Sequence, residues 1–79
     1  MKKLIIFEEV DGNEIAIETV DVRKFETTGA PGRCYMYYWD PGSEKIERIC
    51  VIGKIKDLVS QVNMAGAEDN FEPLKVQVI

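Results

Sequence analysis

Residues 33–39 read Arg-Cys-Tyr-Met-Tyr-Tyr-Trp, residues 40–44 read Asp-Pro-Gly-Ser-Glu, and residues 45–52 read Lys-Ile-Glu-Arg-Ile-Cys-Val-Ile. Two runs rich in β-branched and aromatic residues flank a Pro-Gly turn, which is the pattern of a β-hairpin. The stretch holds all three tyrosines, the one tryptophan and both cysteines of the chain. Alternation along a strand puts Cys34, Met36 and Tyr38 on one face and Arg33, Tyr35, Tyr37 and Trp39 on the other. Cys and Met pack readily into cores, whereas Tyr and Trp join apolar bodies to polar tips. The first set is therefore expected to point inward and the second outward. A Pro41-Gly42-Ser43 loop would set Cys34 opposite Cys50, and a shift of one residue would separate them.

Working outward toward the amino terminus, Leu4 to Val10 reads as a strand with Leu4, Ile6 and Val10 on one face and Ile5 and Phe7 on the other. Apolar residues on both faces predict a position inside the sheet. Asp11-Gly12-Asn13 then favours a three-residue loop that pairs Phe7 with Ile17, over an Asp-Gly loop that would oppose Glu9 and Glu14. Glu14 to Glu18 is the returning strand. The alternation breaks over Thr19 to Arg23, which predicts a turn or bulge before a strand resumes through Thr28. Gly29-Ala30-Pro31-Gly32 is a loop.

Toward the carboxyl terminus, Gly53 ends the hairpin, and Ile55, Leu58, Val59 and Val62 fall at the spacing of one helical face, predicting a helix from about Lys54 to Ala65. Gly66 suits a left-handed cap. An acidic loop at Glu68-Asp69-Asn70 and Pro73 precede a last alternating run, Leu74 to Ile79. The expected fold is α+β: a small, hairpin-rich antiparallel sheet of about five to six strands with one amphipathic helix packed on one face, all in a single domain, 1–79.

A chain of 79 residues with 46% hydrophobic content has a small core, so pairing as a homodimer is expected to help its stability. No apolar run is long enough to span a bilayer and no secretory signal is legible, which predicts a cytoplasmic protein with reduced cysteines and no membrane partner. There is no His and no Cys-x-x-Cys pair, so neither a metal site nor a cofactor is expected. Without a base to activate either cysteine, no catalytic residue is assigned and the chain is not expected to be an enzyme. Glu8, Glu9, Asp11 and Glu14 lack the regular ligand spacing of a calcium loop and read as a solvated acidic face.

The net charge is −4. Residues 1–32 carry seven acids and four bases, 33–56 carry three acids and five bases, and 57–79 carry four acids and one base. The aromatic hairpin is thus locally positive between acidic flanks. Arg33, Tyr35, Tyr37 and Trp39 form the candidate binding surface. They resemble a stacking platform for single-stranded nucleic acid, but the acidic total and the lack of a basic run argue against a nucleic-acid partner. Gly53 and Lys54, at the entry to the predicted helix, form a candidate anion site, because helix amino termini present unpaired N–H groups. The first glycine of a P-loop is missing, since position 48 is Arg.

The order of a strand, Gly12-x-Glu14-Ile15-x-Ile17, a turn into Phe25 to Thr28, a hairpin, and Val51 running through Leu58 to Val62 resembles the small flagellar FlbD family. Val22 belongs to the same match. The aromatic strand, the Gly29 to Gly32 loop and the stretch after Gly66 depart from it. The resemblance implies a compact, β-rich accessory protein with no catalytic residues to carry over.

Together these readings predict a non-catalytic protein-binding module, an inhibitor or accessory factor, acting through the outward aromatic face. Origin in a phage or mobile element is an expectation that composition does not carry. The competing expectation is a protein that sequesters a nucleotide or other small anion between Arg33, the aromatic rings and the Gly53-Lys54 turn.

Overall fold

A computed structural model of the chain describes residues 3–66. It is α+β, with five antiparallel strands in two sheets and one helix. Strands β1 (Leu4–Glu8) and β2 (Glu14–Glu18) form the first sheet. A short 3-10 turn, Thr19–Asp21, leads into the second sheet, in which β4 (Arg33–Asp40) lies between β3 (Val22–Thr27) and β5 (Lys45–Ile52). Helix α1 spans Ile55–Gly66. The expected acidic loop and last strand, Leu74 to Ile79, lie outside the described residues.

The local chemistry explains where these elements start and stop. Between β1 and β2 the Asp11 carboxylate accepts the Asn13 N–H at 3.0 Å, and Gly12 takes the positive φ of 93° that the reversal needs. The loop therefore runs from Glu9 to Asn13, with Glu9 N–H donating to the Asn13 carbonyl at 2.8 Å. This corrects the expected register: Phe7 faces Ile15, and Ile17 faces Ile5. The strand is also less enclosed than expected. Just past the end of β1, Glu9 forms an isolated bridge to Val51 of β5, and within β1 Leu4 and Ile6 are each 63% exposed.

The break in alternation after Glu18 is both a 3-10 turn and a register shift between Val22 and Lys24. The β4–β5 loop has four residues, not three. Asp40 accepts the Gly42 N–H at 2.9 Å through its side chain and the Glu44 N–H at 2.7 Å through its carbonyl, and Glu44 adopts a φ of 54°. The extra residue moves the register by one, so Cys34 faces Val51 and Tyr35 faces Cys50. The cysteines thus sit on opposite faces of the sheet, and both are free thiols. The helix starts at Ile55, one residue later than the periodicity predicts, and Gly66 is its last residue instead of a cap beyond it.

Both sheets and the helix contribute to one core. Ile5, Phe7 and Ile17 meet Val22, Phe25, Cys34, Met36, Tyr38 and Val51, together with Leu58, Val59 and Val62 of α1. The Phe7 and Phe25 rings lie 6.2 Å apart and tilted, within the favoured range for aromatic pairs. Thr19 is fully buried beside this cluster; its N–H reaches the Lys3 carbonyl at 3.0 Å while its hydroxyl has no hydrogen-bond partner among the described residues. None of the helices among the described residues is long and apolar enough to cross a membrane.

Candidate functional site

Strand β4 divides as its alternation predicts. Cys34, Met36 and Tyr38 are buried, Arg33 is exposed, and Tyr35, Tyr37 and Trp39 are half-buried on the opposite face. That face is completed by neighbours that register fixes. Lys24 and Glu26 of β3 flank Tyr37 and Tyr35, and Ile46, Arg48, Cys50 and Ile52 of β5 stand opposite Trp39, Tyr37, Tyr35 and Arg33. Ile46 and Ile52 are close to half exposed, so the aromatic row is bordered by open aliphatic side chains.

The rings are less open than an exposed strip because cations cover them. Lys24 Nζ lies 4.5 Å from the Tyr37 centroid, and Arg48 Cζ lies 4.6 Å from the Tyr35 centroid. The Tyr37 hydroxyl donates to Glu26 Oε1 at 3.3 Å, and Lys24 pairs with the same carboxylate at 3.7 Å. The guanidinium of Arg48 is charged throughout the physiological range, so a cation always stands over the Tyr35 ring. Sequence reasoning singled out the four β4 residues but missed Lys24, Arg48, Ile46 and Ile52. Only the strand register brings them to this face.

Trp39 also lines a cleft of about 660 Å³ between the first sheet and the β4–β5 turn, together with Leu4, Ala16, Glu18, Asp21 and Asp40 among others. At the other end of β4, Arg33, Gly53 and Lys54 line a second, shallower cleft of about 390 Å³ beside the Gly29–Gly32 loop. Gly53 N–H is already donated to the Gly32 carbonyl at 2.9 Å, so it does not point at a ligand. Trp39 lies six steps along the strand from Arg33, about 20 Å, which removes Trp39 from any small ligand held at Arg33.

The Cys34 thiol is pushed up to about 11, first by burial and then by Cys50, and is therefore protonated and inert at neutral pH. Among the described residues no group of three or more His, Cys, Asp or Glu side chains converges as a metal site. Comparison with protein families, curated proteins and solved structures finds no match for the chain.

Proposed function

We propose that the chain is a non-catalytic protein-binding module, an inhibitor or accessory factor of the cytoplasm, that docks a partner protein on the outer face of its β3–β4–β5 sheet. The observation that carries the reading is the row Tyr35, Tyr37 and Trp39, kept out of the core and bordered by Ile46 and Ile52. Tyr, Trp and Arg are the residue types in which interface energy concentrates. The reading takes α1 and the β1–β2 hairpin as the cover of the inner sheet face, which leaves the outer one for a partner. The resemblance to the FlbD family enters at the level of fold.

The test is affinity capture from the native host with the wild-type chain and with a Tyr35→Gln, Tyr37→Gln variant of matched stability. The reading expects a protein retained by the first and lost by the second. Equal retention by both would place the contact elsewhere.

A second reading has its own observation: Arg33 and Lys54 line one cleft, so a small anion or nucleotide phosphate would meet two cations there. A thermal-shift series with inorganic phosphate and ATP tests it, since a ligand at 100 times its Kd adds ~2.7 kcal/mol. No shift with either would remove this reading.

A further inference from the structure

The outer face of the β1–β2 hairpin carries a pattern that solvent does not explain. An antiparallel pair with one side in water places polar residues on that side, yet Leu4 and Ile6 are each 63% exposed there, and Ala16, opposite Ile6, is exposed as well. At the loop end of the same face Glu8 stands directly opposite Glu14, both exposed, and like charges so placed repel. An apolar row ending in two carboxylates complements a face already described on this chain. On the outer side of β3–β4–β5, Ile46 and Ile52 border the aromatic row, and Lys24, Arg33 and Arg48 outnumber the one carboxylate, Glu26. We propose that the β1–β2 face of one copy docks head-to-tail on the outer β3–β4–β5 face of a second copy, with Leu4 and Ile6 on the aromatic row and Glu8 and Glu14 among its cations. The inference rests on the outer-face reading above and adds an occupant that any other partner must displace.

Charge selects this contact over a symmetric one. Neither β1 nor β2 contains a Lys or Arg, so hairpin on hairpin would bring carboxylates together without a strand cation between them. Outer face on outer face would do the same with guanidinium groups. The cations are open to a visitor. Glu26 already pairs with Lys24 at 3.7 Å and accepts the Tyr37 hydroxyl at 3.3 Å, while Arg33 and Arg48 have no ion pair among the described residues. Arg48, held over Tyr35, carries the planar set of donors that matches a carboxylate. The spacing agrees as well. Ile46 and Arg48 are two residues apart on β5, as Ile6 and Glu8 are on β1, ~7 Å in each strand, so an apolar contact and an ion pair can form side by side.

The test measures mass in solution by sedimentation velocity on the intact chain, which should self-associate. Ile6→Glu blocks the hairpin face, and Arg33→Glu with Arg48→Glu blocks the sheet face, so each variant alone should be monomeric. Mixed one to one, each still offers one working face, and the pair should form a heterodimer of twice the 9.0 kDa monomer mass and nothing larger. A symmetric contact would instead leave one of the variants associated on its own. Association of either variant alone, a mixture that stays monomeric, or a monomeric wild-type chain would each overturn the proposal. A second measurement needs no variant: raising salt to about 1 M should weaken wild-type association at least about fivefold, and association that salt leaves unchanged or strengthens would also overturn it. A monomeric wild-type chain that still captures a host protein through Tyr35 and Tyr37 would sink self-docking and leave the outer-face reading standing. A heterodimer with no host protein captured would do the reverse.

Discussion

Arg48 stands directly opposite Tyr37 on β5, yet its guanidinium lies over the ring of Tyr35, the diagonal neighbour, at 4.6 Å from the centroid. Diagonal reach of this kind is open to long side chains across an antiparallel pair. Arg48 therefore ties the middle of β5 to two rings of the outer face, paired with Tyr37 across the strands and stacked on Tyr35. Replacing Arg48 with Ala should leave the urea midpoint close to that of the wild type, because the contact is exposed to solvent, while uncovering Tyr35. Urea unfolding checks the first point and the accessibility of Tyr35 to a paramagnetic probe the second.

Gly53 joins β5 to α1 at a φ of 139°, and a Cβ built there would lie 3.0 Å from Leu58 Cδ2. Gly53→Ala should destabilise the fold by ~1 to 3 kcal/mol, from backbone strain together with displacement of a core leucine. A urea midpoint within error of wild type would contradict this.

These two residues also mark what the sequence discloses. The alternation of β4 was legible because a half-buried strand writes a period of two, and Gly53 was legible as the end of a strand. The offset between β4 and β5 was not, because it depends on Asp40 capping its own turn and on Glu44 accepting a φ of 54°, which no residue type announces. The same one-residue offset decides whether Cys50 joins Cys34 in the core or Tyr35 outside it. The cleft beside Trp39 was hidden for a different reason: Leu4, Ala16, Asp21 and Trp39 meet only through tertiary packing.

The buried Cys34 thiol has its pKa raised from 9.0 to about 11, and that of Tyr38 is raised from 10.0, so folding favours the protonated form of both. The unfolded chain releases these protons at lower pH than the folded one. Their stabilising contribution is full below pH 9 and is lost as pH rises through about 11. Stability measured by urea should therefore fall across this window, and the fall should be smaller in Cys34→Ala. The same burial predicts that a thiol reagent at neutral pH modifies Cys50 before Cys34.

Self-association is expected through the β1–β2 hairpin, where Leu4 and Ile6 of the strand and Val10 of the loop are 63%, 63% and 44% exposed. Pairing would remove this apolar surface from water at roughly 25 cal/mol per Å². Light scattering at high micromolar concentration should give a mass above that of the 9.0 kDa monomer, and Ile6→Glu should return it to monomer. A monomeric wild-type chain would refute the expectation.

Trp39 gives the most direct test of the outer face as a binding surface, because it is half-buried and shares that face with Tyr35 and Tyr37. Stability in urea and affinity for the captured partner should be measured on Trp39→Ala. The account predicts a binding loss of ~2 kcal/mol or more and a stability loss below the ~3 to 5 kcal/mol of a core aromatic. Unfolding of the variant, or unchanged affinity in a folded one, would contradict it.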